Sequence, residues 1–139
     1  MSLRPFHLAV SVHSLIAARQ FYGELLGCAE GRSARDWVDF NFFGHQFVCH
    51  QVESSAEGAD FNNVDGKSVP VPHFGIVMDW EDWTGLAEKL KQKNVAFIIE
   101  PGIRFAGEPG EQMTMFLADP SGNMLEFKAM RNPENLFSK

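Results

Sequence analysis

The chain has 139 residues, of which 45% are hydrophobic and 22% are charged, so it can bury a core and is not disordered as a whole. The formal net charge of −6 predicts a surface that repels phosphate backbones and anionic membranes, which excludes nucleic acid and membrane as expected partners. No apolar run is long enough to cross a bilayer, and the first residues lack the apolar stretch of a signal peptide. Because Cys28 and Cys49 fit no metal or redox spacing, we expect free thiols and a cytoplasmic location.

The first part of the chain predicts one strand, one helix and three further strands. Between Phe6 and Val12 the large apolar side chains occupy every second position, which is the period of a strand. A helix is predicted from an N-cap at Ser14 to a stop at Gly27. Strand-like stretches follow at about 29–33, 37–42 and 45–52, with a turn at 43–44 between the last two.

The same order of elements returns later in the chain. Residues 73–78 alternate like a strand, and Asp79 is placed to cap a helix that ends near Asn94. Strands are then predicted at 95–99, 113–117 and 123–128, the last two joined by the turn 119–122.

The two series keep the same register along the chain. His7 corresponds to His73 at an offset of 66 (73 − 7), and Gly27 corresponds to Asn94 at an offset of 67 (94 − 27). Such agreement predicts an α+β fold of two tandem β-α-β-β-β modules, at residues 1–52 and 73–130. Residues 53–72 are polar, contain Gly and Pro, and are predicted to connect the modules and to cover the cleft or a partner chain. Residues 131–139 are predicted to be a surface tail.

Three residues in this repeat indicate a metal site. His7 and His73 each open a module, and small residues share the face of each imidazole. Glu126 lies in mid-strand between expected core residues, where a carboxylate is costly unless it is paired or bound to a metal. Each residue alone is more often a hydrogen-bonded or solvent-facing residue, but two imidazoles and one carboxylate form a facial ligand set that leaves positions open for substrate or dioxygen.

Four segments of the sequence resemble the vicinal oxygen chelate superfamily, which includes glyoxalase I, the extradiol ring-cleaving dioxygenases, the fosfomycin-modifying enzymes and the bleomycin-binding proteins. The most specific is the closing segment FLADPSGNMLEF at 116–127, followed by the helix and turn ARQFYGELLG at 18–27. The opening strands at 6–10 and 73–77 are also similar to those of the family. The resemblance covers nearly the whole chain, apart from the connection and the tail.

The resemblance implies a U-shaped, incompletely closed mixed-sheet barrel around a cleft, often completed or exchanged in a homodimer. It also implies one divalent metal ion, which Fe, Mn, Ni, Co and Zn can all supply, with His7, His73 and Glu126 at the ligand positions. The implied function is a metal-dependent enzyme of the glyoxalase or dioxygenase type. Its small substrate chelates the metal through neighbouring oxygens and undergoes lyase, isomerase or ring-cleaving dioxygenase chemistry. A metal-free drug-binding protein like the bleomycin-binding members is the open alternative.

Further residues are candidates for contact with the substrate. His50 is predicted as a catalytic acid or base, or as the fourth ligand that some members have, and His13 is a second candidate proton carrier. Arg104 lies in a Gly- and Pro-rich segment, 101–110, that resembles the substrate-facing loop of the family, and is predicted to hold an anionic group. Phe42 is predicted to line the cleft, as one of the aromatic residues Trp37, Phe40, Phe42 and Phe47.

Overall fold

The computed structural model describes residues 3–53 and 60–139, which form two compact units. The first unit takes in Met1–Gly58 and Asp119–Asn123, and the second takes in Ala59–Ala118 and Met124–Lys139. No helix within the described ranges is long and apolar enough to span a membrane.

Each unit contains a four-stranded sheet with a helical segment. The first unit has β1 (His7–Val12), α1 (Leu15–Ala18), a π-helix (Arg19–Leu25), β2 (Ala29–Ser33), β3 (Trp37–Phe42) and β4 (His45–Gln51). The second unit has β5 (Asp60–Val64), β6 (Lys67–Val71), β7 (Phe74–Val77), α2 (Trp80–Gln92), β8 (Phe97–Arg104), β9 (Gln112–Ala118), β10 (Met124–Met130) and a 3-10 helix (Pro133–Asn135).

The two sheets share one topology, which confirms the predicted α+β fold of two similar modules. The strand order is β1-β4-β3-β2 in the first unit and β7-β10-β9-β8 in the second. The pairs β1/β4 and β7/β10 run parallel, and the other neighbours run antiparallel. Gly27 and Asn94, which the sequence makes equivalent, both have left-handed backbone, with φ of 78° and 58°, and each ends its helical segment in this way.

The first helix differs from its prediction. Ser14 caps it as expected, because its hydroxyl accepts a hydrogen bond from the backbone N–H of Ala17. However, α-helical pairing stops at Ala18, and a π-helix continues to Leu25. The backbone N–H of Leu26 accordingly donates to the carbonyl of Phe21, five residues earlier. Apolar spacing predicts a helix but does not distinguish these two hydrogen-bond patterns.

The second helix packs on its own sheet through one apolar face. Its buried residues are Trp83, Ala87 and Leu90, and the indole N–H of Trp83 donates to the carbonyl of Phe127 on β10 at 2.8 Å. Asp79 occupies the N-cap position as predicted, although its side chain makes no capping hydrogen bond. Strand β10, the strand that carries Glu126, is therefore held from the helix side.

The segment predicted as a plain connection contains a β-hairpin, formed by β5 and β6. Two contacts attach its end to β8, since the Arg104 guanidinium donates to the carbonyl of Val64 and the backbone N–H of Phe105 donates to the carboxylate of Asp65. Residues 54–59 of the predicted connection lie outside the described residues. The hairpin belongs to the second unit, where the carbonyl of Pro70 in β6 contacts His73.

The turn between β9 and β10 is fixed by a buried aspartate in the first unit. Asp119 is 4% exposed and accepts hydrogen bonds from the backbone N–H groups of Ser121 and Asn123, both at 2.9 Å. Its other oxygen accepts the hydroxyl of the fully buried Tyr22 at 2.7 Å. Burial, together with the charge of Asp119, raises the pKa of Tyr22. Asp119, within the most specific segment of the resemblance, is therefore a structural anchor.

Replacement of Asp119 should destabilise the protein strongly. Asp119→Ala leaves the hydroxyl of Tyr22 and two turn N–H groups without their acceptor, and an unpaired buried group costs roughly 1–3 kcal/mol. We expect a loss of about 3 kcal/mol in the free energy of unfolding, measured by urea denaturation. The exposed Asp36→Ala should change it by less than about 0.5 kcal/mol. Equal effects of the two substitutions would contradict this role.

Candidate metal centre

His73 and Glu126 meet on one face of the sheet of the second unit. His73 directly precedes β7, and Glu126 lies in the middle of β10. The imidazole Nε2 is 3.3 Å from Oε1 of Glu126, and their side chains are 29% and 14% exposed. A nitrogen and an oxygen donor from the predicted ligand set are thus brought together at a partly open position.

Both side chains are oriented by a second contact. Nδ1 of His73 is 2.6 Å from the carbonyl oxygen of Pro70, which only accepts, so this nitrogen carries a proton and Nε2 faces Glu126. The hydroxyl of Thr114 donates to Oε2 of Glu126 at 2.5 Å. The ring of Phe116 meets the imidazole edge-on, with the centroids 5.0 Å apart. Such supporting contacts typically orient the ligands of metal sites.

Gly75 allows the two strands to approach closely enough for this pair to form. It pairs with Glu126 in the parallel β7/β10 ladder. A Cβ atom on Gly75 would lie 1.5 Å from the backbone oxygen of Glu126, which no real side chain tolerates. The small residue noted in the sequence beside His73 is therefore required by backbone contact, rather than by space for a substrate.

The pair shifts the pKa values of both members in opposite directions. The hydrogen bond to Glu126 is the main cause that raises the pKa of His73, against the opposing effect of its burial. Burial acts to raise the pKa of Glu126, but the hydrogen bonds from His73 and Thr114 and the charges of Lys128 and His73 outweigh it, so the pKa is lowered. Both shifts favour the charged pair, in which a protonated imidazole faces an ionised carboxylate.

His7, the third predicted ligand, belongs to the first unit. It is the first residue of β1, is exposed, and pairs with Gln46 of β4. Within residues 3–53 and 60–139, no three His, Cys, Asp or Glu side chains form a group that could hold a metal ion. His73 and Glu126 supply two donors in their unit, and the role of His7 stays a prediction.

The strand registers identify the counterpart of Glu126 in the first unit. Glu126 pairs with Gly75 and Val48 pairs with Ala9, and each of these partners lies two residues after the opening histidine of its module. Val48 therefore occupies the position equivalent to that of Glu126. Its apolar side chain cannot bind a metal ion, so the first unit offers no counterpart of Glu126 there.

His50 follows Val48 by two residues in β4. It is exposed, pairs with Ser11 of β1, and is the counterpart of Lys128, which follows Glu126 by two residues in the same way. The register thus shows that His50 is not the counterpart of Glu126, and its role, as an acid or base or as a fourth ligand, stays a prediction. His13, the second candidate proton carrier, contacts Ser121, whose hydroxyl lies 2.8 Å from Nδ1 of the imidazole.

Phe42 and Arg104, the two other residues predicted to contact the substrate, are both buried. Phe42 is 4% exposed, and its ring lies 5.4 Å from that of Phe47 and 6.4 Å from that of Tyr22, in the core of the first unit. Arg104 is 4% exposed and is the last residue of β8, so the prediction of a loop over 101–104 is wrong. Its guanidinium donates a hydrogen bond to the β5–β6 hairpin. Neither Phe42 nor Arg104 is part of the proposed site.

Comparison with known proteins agrees with this fold. Residues 4–127 match the model of the Glyoxalase/Bleomycin resistance protein/Dioxygenase superfamily, and the chain therefore belongs to that superfamily. A comparison with curated proteins gave no significant match.

Several solved structures have a similar fold over nearly the full length of this chain. A glyoxalase/bleomycin resistance protein/dioxygenase from Alicyclobacillus acidocaldarius is 32% identical, with a TM-score of 0.82 and coverage of 96% of both chains. The fosfomycin resistance protein FosX from Listeria monocytogenes is 17% identical, with a TM-score of 0.71 and coverage of 97% of this chain and 98% of that one. Lactoylglutathione lyase from Agrobacterium tumefaciens is 17% identical, with a TM-score of 0.65 and coverage of 98% and 97%. At 17% identity these last two show the fold alone.

Substitution of Gly75 should separate the two donors. Gly75→Ala forces β7 away from β10, and we expect it to lower the free energy of unfolding by about 3 kcal/mol or more. Gly85→Ala, in an exposed position of α2 with no atom within 4 Å of the added Cβ, should instead stabilise by about 1 kcal/mol. Denaturant titration of both variants measures these changes. A Gly75→Ala protein as stable as the wild type would contradict the close approach.

The ion pair predicts a bell-shaped pH dependence of stability in chelator-treated protein. The raised pKa of His73 gives stability that is complete below its usual value of 6.5 and is lost as the pH rises through the folded value. The lowered pKa of Glu126 gives stability that is complete above its usual value of 4.5 and is lost as the pH falls through the folded value. The stability difference between wild type and Glu126→Gln should therefore be largest between about pH 4.5 and 6.5. A difference independent of pH would contradict the pairing.

Proposed function

We propose that this protein is a metal-dependent enzyme of the glyoxalase or dioxygenase type, acting on a small substrate that chelates one divalent metal through neighbouring oxygens. The observation that carries the proposal is the oriented pair of His73 and Glu126, 3.3 Å apart. One imidazole nitrogen and one carboxylate oxygen face the same point, while the other polar atom of each side chain is engaged by Pro70 and Thr114. These residues fit a metal ion, since the donor types and the supporting contacts are those of metal sites.

We propose that His7 completes the ligand set. It comes from the same chain or from a second copy, and a homodimer is the assembly that we propose. Three protein donors leave coordination positions for two substrate oxygens. The donor types are compatible with Fe, Mn, Ni, Co or Zn.

The side chains around the pair define what the protein contributes to the reaction. A bound divalent metal supplies a Lewis acid that polarises the substrate oxygens. Pro70 and Thr114 hold His73 and Glu126 in one orientation, so that the donors need no rearrangement when a substrate binds. We assign His50 as the group that moves a proton, because an imidazole has one nitrogen that can donate a proton and one that can accept it.

Lyase or isomerase chemistry is the form of this proposal that we favour. Tyr22 is the single tyrosine of the sequence, is fully buried, and donates its hydroxyl to Asp119. Its raised pKa and its lack of exposure exclude it as a proton donor to a substrate. A ring-cleaving mechanism that uses a catalytic tyrosine therefore lacks that residue in this chain.

Metal content and affinity test the site directly. Protein purified without chelator or histidine tag should contain about one transition-metal ion per chain, and His7→Ala, His73→Ala or Glu126→Gln should lose most of it. Thr114→Val, which keeps the shape but removes the hydrogen bond to Glu126, should weaken metal affinity roughly 10–100-fold. His50→Gln should keep the metal, because His50 is proposed to move a proton and not to bind the ion. Elemental analysis and competition with a chromophoric chelator measure these effects.

A mixture of two inactive variants shows whether one or two chains build the site. Refolding equal amounts of His7→Ala and His73→Ala together should restore about a quarter of the metal content if each site takes its ligands from two chains, because half of the dimers are mixed and each mixed dimer has one intact site. It should restore none if each site takes its ligands from one chain. Absence of metal from the wild type, even after Fe, Mn, Ni, Co or Zn is added, would overturn the enzyme proposal. A metal-free drug-binding protein would then be the better description.

A further inference from the structure

A second feature of the open sheet face in the second unit is a cavity of about 270 Å³. Strand residues Gln112 and Lys128 contribute to its lining, the loop after β8 contributes Phe105, and the C-terminal tail contributes Leu136. Sites for drug-sized ligands span roughly 300–1,000 Å³, so this cavity suits a smaller molecule. The chain segment that sequence reasoning treated as a surface tail is one of its walls.

The polar groups of the lining indicate the chemistry of a ligand. Oε1 of Gln112 is buried and has no hydrogen-bond partner among the described residues. Buried polar atoms in native proteins nearly always have a partner, so this oxygen is an exception within a residue that lines the cavity. The charged residues among those that line the cavity are Lys128, Lys139 and Glu108. Lys128 lies on a strand, where its backbone is fixed, whereas Glu108 and Lys139 lie in a loop and at the tail.

The rest of the lining is largely apolar. Phe105, Met130 and Leu136 offer an aromatic ring and two flexible aliphatic side chains. Met130 is 6% exposed and is the last residue of β10, so it forms a fixed part of the wall. A ligand that fits therefore needs an apolar body as well as a polar head.

The cavity lies beside the candidate metal centre along one strand. Lys128 follows Glu126 by two residues and shares its face of β10, which separates the two Cα atoms by roughly 7 Å. One small molecule is long enough to reach both residues. Thr114, which orients Glu126, is the cross-strand partner of Lys128.

We propose that this cavity binds the part of the substrate remote from the metal, and that the substrate is a small organic acid with an apolar body. The carboxylate pairs with Lys128, and the apolar body packs on Phe105, Met130 and Leu136. The link to catalysis rests on the proposed metal site, whereas binding of the acid by the cavity does not. The C-terminal tail, through Leu136, is then a determinant of specificity.

Binding of simple acids to chelator-treated, full-length protein tests the proposal independently of the metal. The probes are straight-chain carboxylates from acetate to octanoate and the matching primary amides, measured by isothermal titration and by amide chemical shifts. We expect affinity to rise with chain length until the cavity is filled, and each longer acid to bind about fivefold more tightly than its amide, as for a partly exposed charge pair. The shifts should be centred on residues 105, 112, 128, 130 and 136.

Two substitutions separate charge from shape. Lys128→Met should abolish the preference for acids over amides, whereas Lys93→Met, on an exposed residue outside the cavity, should retain it. Leu136→Trp, on the exposed tail, should weaken all probes by filling the space. Equal affinity for acids and amides, no detectable binding, or no effect of Lys128→Met and Leu136→Trp would overturn the proposal. If the acids bind as expected but no metal is ever retained, the cavity stands and the proposed enzyme function fails.

Discussion

The close approach of β7 to β10 is the constraint on which the candidate site depends. Gly75 lies so near the backbone of Glu126 that a side chain of any size would force the strands apart. This approach brings His73, two residues before Gly75, to 3.3 Å from the Glu126 carboxylate. A residue without a side chain thus sets the geometry of the two candidate ligands.

The contacts around the pair extend this constraint into the rest of the second unit. The hairpin supplies the Pro70 carbonyl that fixes the proton of His73 on Nδ1, and β9 supplies the Thr114 hydroxyl that holds Glu126. From the opposite face, the indole N–H of Trp83 in α2 donates a hydrogen bond to the backbone carbonyl of Phe127, the residue next to Glu126 in β10. Strand β10 is therefore held from both sides where it presents the carboxylate, as a site with little reorganisation on binding requires.

Sequence reasoning predicted the repeated features because periodicity and turn chemistry are local properties. The alternation in β1 and β7, the Ser14 cap, and the left-handed ends at Gly27 and Asn94 all follow from neighbouring residues. The π-helix was missed because apolar spacing does not report hydrogen-bond partners. The hairpin was missed because β5 is polar and exposed, and β6 has a proline in mid-strand.

The site was predicted in part for a similar reason. His73 and Glu126 were found through equivalence in the repeat and through the family motif, whereas Pro70 and Thr114 act through contacts that no local pattern indicates. Arg104 was misplaced because Pro101 and Gly102 signal a turn, yet pairing with β9 continues to its residue with register shifts along the way. Alternation placed Phe42 on one face of β3, but only packing shows that this face is the core.

The most direct test is nitrogen NMR of the His73 imidazole while chelator-treated protein is titrated with Zn²⁺. We expect Nδ1 to keep its proton, because it donates a hydrogen bond to the Pro70 carbonyl, while the Nε2 resonance moves to a metal-bound position. The change should saturate near one ion per chain and be lost in Glu126→Gln. A His73 imidazole that does not respond to Zn²⁺, or that loses the Nδ1 proton instead, would contradict the central claim that this pair is a preformed half of a metal centre.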